Sequence, residues 1–321
     1  MASSTQNSKS VTAHNVIIDK LAITFDVPQS RVKSIASQLK AIRKEKFGDY
    51  SKNVNYQVGT KIWLNKHLIQ EKATSSCLTV HTLPKFAGYR SCRVEWNPSK
   101  IPINVVASVA LENYLGIDSS LIGRGIVTQL DVAVDVDNIQ IDDILFHVPK
   151  YRLCKNIISS GMTRYIGGRS GKRYYCCYDK QAEIIAHNTR VYWDTHKEPV
   201  PDHPRMRIEA RLSPKIYWSE IEHIENPFEI MKLRQFSTCT AAEGKSDQYV
   251  RMALALTRHD GLNAALSTLD KKTRALMKKR ILDSQESCDW WRPEKLWRGF
   301  YGRYDEINSF VNAVDCKEAV G

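Results

Sequence analysis

Thr128-Gln-Leu-Asp-Val-Ala-Val-Asp-Val136 is the segment from which the fold is read. Its period-two alternation puts Leu130, Val132, Val134 and Val136 on one face of a strand, and Asp131, Ala133 and Asp135 on the other. Further β-type runs flank it: Val16 to Val27, closed by Pro28, then 54–64, 77–83 and Cys92-Arg-Val-Glu-Trp96. Downstream, a hairpin pattern spans 163–180, and Arg205-Met-Arg-Ile-Glu-Ala-Arg-Leu212 alternates again, with Arg205, Arg207, Glu209 and Arg211 on one face. Helical spacing marks 31–46, with Ser30 as its cap, then 103–115 and 181–188. Beyond about 214 the β pattern fades and helices take over, notably at 247–258 and 261–283. The expected fold is α+β: a mainly antiparallel central sheet with flanking helices, followed by a helical C-terminal region. The corresponding division is a flexible tail at 1–14, a sheet domain at 15–235 and a helical region at 236–321.

The 321 residues carry 47 Lys+Arg against 35 Asp+Glu, a formal net charge of +12. That excess favours a polyanionic partner, because phosphate contacts release counterions. The 42% apolar content supports a real core and argues against wholesale disorder. Eight cysteines occur without a C-x-x-C pair or finger spacing, so buried reduced thiols in the cytoplasm are expected. No secretory pattern opens the chain, and no run of about 18 apolar residues predicts a membrane span.

Three strands carry acids opposite their apolar residues: Glu95, Asp131 with Asp135, and Glu209. If those strands adjoin, their hard oxygen donors meet on one surface and suit Mg²⁺ or Mn²⁺. The competing reading is an exposed face on which Glu209 pairs with neighbouring arginines. In Arg173-Tyr-Tyr-Cys-Cys-Tyr-Asp-Lys180, alternation places Tyr174, Tyr178 and Lys180 together. A phenol, with a pKa near ~10, attacks phosphorus poorly unless a metal or cation acidifies it, and Lys180 could also hold the phosphate. Spacing alone does not choose among Tyr165, Tyr174, Tyr175 and Tyr178. The turn Gly167-Gly-Arg-Ser-Gly-Lys-Arg173 fails the Walker pattern, since Arg173 stands where Ser or Thr should. Arg169, Lys172 and Arg173 suit a basic hairpin tip that touches a DNA backbone, and equally a merely solvated turn. Lys271, Lys272, Arg274, Lys278 and Lys279 form either a second basic surface for duplex DNA or, equally, a solvated helical face, with Leu262, Leu266, Leu269, Leu276 and Ile281 as the buried side. The aromatic, basic segment 290–304 either packs on the sheet or contacts unstacked bases. No histidine has another two positions away, so the His-hydrophobe-His metal motif is absent.

Several segments, in order, resemble the Rep_trans (replication initiation factor) family of rolling-circle plasmid and filamentous-phage initiators. They are Arg93-Val-Glu-Trp-Asn-Pro-Ser-Lys100, Gln129-Leu-Asp-Val-Ala-Val-Asp135, Tyr165-Ile-Gly-Gly-Arg169, Tyr178-Asp-Lys-Gln-Ala-Glu183 and Arg207-Ile-Glu-Ala-Arg-Leu212. The resemblance implies that Tyr178, heading the Tyr-Asp-Lys motif, is the nucleophile of a DNA-nicking and rejoining reaction. It places Asp131 and Asp135 on the family's acidic strand and Glu95 and Glu209 at its Arg-x-Glu positions. It also implies origin DNA with an extruded single strand, a host helicase and polymerase, and a homodimer. Gln129 departs from the family's common Arg, and Cys176 and Cys177 replace the usual residues before the tyrosine.

Overall fold

A computed structural model describes residues 10–44, 48–63, 77–149, 151, 154–158, 162–168, 171–190, 197–236, 252–257, 261–282 and 288–318. The strands are β1 (Thr12–Ala13), β2 (Ile17–Phe25), β3 (Gly48–Tyr50), β4 (Tyr56–Trp63), β5 (Cys77–Pro84), β6 (Cys92–Trp96) and β7 (Ile126–Asp137). They continue as β8 (Ile144–His147), β9 (Cys154–Ile158), β10 (Met162–Ile166), β11 (Arg173–Asp179), β12 (Arg205–Leu212), β13 (Ile216–Tyr217) and β14 (Lys232–Gln235). The main sheet runs β3-β4-β5-β6-β2-β7-β12-β11-β10-β9, with β1 and β13 adding to β7, and β8 pairs separately with β14. Every described pairing is antiparallel.

The register builds two unlike faces. Val132, Val134, Ile208, Ala210, Tyr175, Cys177, Leu21, Ile23, Val80 and Val94 belong to one buried core. Helix α1 (Gln29–Lys44) contributes Val32, Ile35 and Leu39 to that core, and the π-helix Val105–Asn113 contributes Val106 and Leu111. The alternate residues form the opposite, polar face, on which pairing sets Asp131 opposite Arg211 and Asp135 opposite Arg207. Next to them, Lys20 lies opposite Asp131, and Glu95 opposite Ala22.

After α2 (Lys180–Arg190), the helices are α3 (252–257), α4 (Leu262–Ala265), α5 (Lys271–Leu282), α6 (Pro293–Leu296) and α7 (Arg298–Glu318). The region after 236 divides between two cores. Residues of α3, α4 and α5 gather with Leu145 and Phe236 in a small separate cluster. Cys288, Leu296, Trp297, Phe300, Tyr304, Ile307 and Val311 return to the main core. The aromatic segment at 290–304 is therefore largely core, with Trp297 stacked on Phe300 at 4.4 Å between centroids. Phe300 is fully enclosed, so Phe300→Ala should lower unfolding stability by about 3–5 kcal/mol in a denaturant titration. In α5, Leu276 is 50% exposed instead of buried; Met277, Ile281 and Leu282 form the inner side.

The N-terminal strand is held by charge. His14 Nε2 lies 2.8 Å and His203 Nε2 3.1 Å from the Asp137 carboxylate, which Arg205 Nε also reaches at 2.6 Å. Burial works against the Asp137 anion, but Arg205, His14 and His203 outweigh it and hold its pKa far below the usual range. Hydrogen bonds to Asp202 and then Asp137 raise the pKa of His203. A raised histidine stabilises the fold while it is protonated, fully below its unfolded pKa of about 6.5. This contribution disappears as pH rises through the higher folded value. Amide exchange of β1 should therefore quicken as pH climbs through that window, beyond the intrinsic base-catalysed increase, and His203→Gln should remove the dependence.

Candidate active site

Tyr178, Glu209, Arg211 and Asp131 meet on the polar face, each placed by strand register. Tyr178 of β11 lies opposite Arg207 of β12, and Asp131 of β7 lies opposite Arg211. Glu209 stands between the two arginines on the same face, and it is only 3% exposed. The half-buried Tyr178 donates its hydroxyl proton to Glu209 Oε1 at 2.6 Å. The other oxygen, Oε2, accepts from Arg211 Nη2 at 2.8 Å and Nε at 3.1 Å. Arg211 Nη1 donates to Tyr174 Oη at 2.9 Å, and Nε stands 3.7 Å from Asp131 Oδ2. Gln129 Nε2 donates to both oxygens of Asp131, at 3.1 and 3.2 Å. Arg93 Nη2 then links Gln129 to Glu95 at 3.2 and 3.0 Å. A continuous chain of polar contacts thus links side chains of β11, β12, β7 and β6, passing over β2.

Burial sets the protonation states at its centre. Desolvation, helped by the negative charge of Glu209, pushes the Tyr178 phenol well above 10, although Arg207 pulls the other way. Desolvation also lifts Asp131 to about 6, against Arg211 and Gln129. Glu95 moves in the opposite direction: burial disfavours its charge, but Lys20 at 2.5 Å and Arg93 hold its pKa below the ordinary value. Tyr178 is thus a neutral phenol in the free protein, with its proton directed at one carboxylate oxygen.

The four acids suggested as metal ligands share the polar face without forming one cluster. Asp135 is held by a bidentate Arg207, at 2.6 and 2.8 Å, and Glu95 by Lys20 and Arg93. Among the described residues, no three His, Cys, Asp or Glu side chains gather as a metal-holding group. Asp131 and Glu209 do converge, on the Arg211 guanidinium that now supplies their positive charge. Two carboxylates match the donor chemistry of Mg²⁺, which commonly completes its octahedron with water and substrate phosphate oxygens.

Lys180 departs from its expected position. Asp179 Oδ1 accepts from Ala182 N at 2.8 Å and caps α2, so the strand ends and Lys180 becomes the first helical residue. Its ammonium pairs with Glu183 at 2.6 Å. The competing sequence reading, in which Glu209 pairs with a neighbouring arginine, is met by Arg211, its i+2 neighbour on an alternating strand. Tyr174, one of four candidate nucleophiles in the sequence, instead accepts from Arg211, and the contact of Gln129 with Asp131 was not foreseen.

The suggested DNA contacts are dispersed. Arg169 lies outside the described residues. Lys172 is exposed at the β10–β11 turn, and Arg173 stands 3.8 Å from Glu225, about 17 Å along the strand from Tyr178. On α5, Lys271, Lys272 and Lys279 are exposed. Arg274 is also exposed, but donates to the carbonyls of Ser267 and Leu269 at 2.8 and 2.7 Å. Lys278 donates to Asn263 Oδ1 at 3.1 Å. No described helix is long and apolar enough to cross a membrane.

No family model matches the chain, the Rep_trans resemblance included, and no curated protein matches it. Among solved structures it is similar to a rolling circle replication initiator protein from Geobacillus stearothermophilus. That similarity has a TM-score of 0.37 at 16% identity, over 74% of this chain and 91% of the other. Superposition that loose transfers no chemistry from one protein to the other.

Proposed function

We propose that the protein is a rolling-circle replication initiator that nicks and rejoins origin DNA through Tyr178. The observation carrying this reading is the 2.6 Å hydrogen bond from the Tyr178 phenol to Glu209 on a chain of net charge +12. Nucleophilic catalysis by a weak oxygen acid needs a base already in contact, and Glu209 is in contact. The Tyr178 oxygen attacks the scissile phosphorus, the phenolic proton passes to Glu209 Oε1, and the bond from phosphorus to the 3′ oxygen breaks, that oxygen leaving with a proton taken from solvent water. A 5′-phosphotyrosine and a 3′-hydroxyl result; the latter can prime a polymerase, and its return attack rejoins the strand. Arg211, exposed by about a third, is placed to meet phosphate oxygens, whereas Arg207 is locked on Asp135.

Asp131 and Glu209 would hold a divalent Mg²⁺ or Mn²⁺, which when bound polarises a phosphate and favours the phenolate. The basic face of α5 would hold the duplex around the origin, while the nick requires an extruded single strand. Incubation with supercoiled origin DNA and Mg²⁺ or Mn²⁺ tests the reading. The expected product is a relaxed circle with protein attached to its 5′ end, and mass spectrometry should place the phosphodiester on the peptide containing Tyr178. Cleavage with a free 5′ end would mean that water is the nucleophile. Specific binding without cleavage at any metal concentration would mean a non-catalytic regulator.

A further inference from the structure

The turn joining β5 to β6, Pro84-Lys-Phe-Ala-Gly-Tyr-Arg-Ser91, exposes two large aromatic side chains remote from Tyr178. Phe86 is 57% and Tyr89 46% exposed, and their ring centroids lie 6.0 Å apart. Exposing two neighbouring rings costs hydrophobic free energy, so the features that hold them there are informative. Tyr89 rests edge-on against the buried Tyr56, at 6.5 Å, and the Tyr56 hydroxyl donates to the Arg90 carbonyl at 3.1 Å. Ser91 N donates to Asp26 Oδ1 at 2.9 Å, and Lys85 N donates to the Asn55 carbonyl at 2.8 Å. Leu83 and Gly88 both adopt positive φ, 59° and 86°. A non-glycine residue in that region is strained, and here the surrounding hydrogen bonds hold the turn in shape. The rings are therefore preorganised.

Their surroundings are basic. Lys85, next to Phe86 in the chain, is exposed and reaches the Asn53 carbonyl at 3.5 Å, and Arg90, next to Tyr89, is partly exposed, 3.2 Å from Asp26, the one acid facing this turn in the described contacts. Exposed aromatic faces flanked by cations match unpaired bases, which stack on rings while their phosphates meet the charges. Paired bases hide those faces within the duplex.

We propose that Phe86 and Tyr89 form a stacking platform for single-stranded DNA, a second nucleic-acid contact separate from the cleavage centre. The choice of DNA rests on the initiator reading above; the stacking chemistry does not. From β6 to β11 there are four strand spacings, about 19 Å, and the register sets the turn about nine residues further, roughly 31 Å, along the strands, so one DNA strand touching both sites must run many nucleotides diagonally across the sheet.

The test is fluorescence anisotropy of the full chain with labelled dT12, without divalent metal so that no cleavage contributes. Phe86→Ala and Tyr89→Ala should each weaken binding about tenfold, within the range for loss of one stacked base, and leave a 12-base-pair duplex unaffected. Tyr89→Trp should retain affinity, and its emission should be quenched as bases stack. Lys85→Gln should flatten the salt dependence by about one counterion. Unchanged dT12 affinity in both alanine variants, with melting temperature preserved, would overturn the proposal. Equal losses for dT12 and duplex would do the same, as would tighter binding of rU12 than of dT12. A chain that forms no phosphotyrosine yet loses dT12 affinity on Phe86→Ala would sink the nicking reading and leave the platform intact.

Discussion

Tyr178→Phe is expected to abolish both relaxation of supercoiled origin DNA and the covalent protein–DNA adduct. The substitution removes one oxygen and leaves the ring in place, so the strand pairing of β11 with β12 is untouched. Glu209 loses the hydroxyl on Oε1 but keeps Arg211 on Oε2, and the stability change should stay near about 1 kcal/mol. Duplex binding should remain, because the suggested phosphate contacts are on α5, whose inner side packs in a separate apolar cluster. Loss of chemistry with preserved binding and melting temperature separates a missing nucleophile from a damaged fold. Persistence of the adduct in this variant would refute the assignment of the nucleophile.

Glu209→Gln is the second change of large effect, with adduct formation expected to slow by about 10²–10⁴-fold. Glutamine can still accept from Tyr178 and keeps the shape of the strand, but it cannot take the proton as a carboxylate does. A base role makes a further demand. Glu209→Asp keeps a carboxylate and should recover part of the rate that Glu209→Gln loses. A positioning role alone would leave glutamine, the closer isostere, the more active of the two. Adduct formation within twofold of wild type would exclude Glu209 as the proton acceptor.

Much of the sheet was legible because alternation in β7 and β12 is strict, and register then forces Asp131, Asp135, Arg207, Glu209 and Arg211 onto one face. What escaped the sequence was pairing across strands. Nothing in the run Asp131–Asp135 says that Asp135 will be taken by Arg207 while Asp131 faces Arg211. Lys180 was misplaced because strand periodicity was carried one residue too far, past the capping Asp179. The aromatic run 290–304 was ambiguous because Trp, Phe and Tyr serve cores and base-stacking surfaces equally well. Burial of Trp297, Phe300 and Tyr304 decides it for the core, whereas Phe86 and Tyr89, unremarkable in sequence, are the exposed pair.

The closure of the core by its last helices has a consequence for synthesis. Val16 N donates to the carbonyl of Leu296 at 2.9 Å, and Gly299 lies so close to the Val16 backbone that a side-chain carbon there would meet its oxygen at 2.5 Å. The entry to central strand β2 is thus sealed by residues made about 280 positions later. While the chain is being made, the apolar surface awaiting Trp297 and Phe300 stays open until those residues have left the ribosome. A copy that stops before them should therefore be a target for chaperones and proteases.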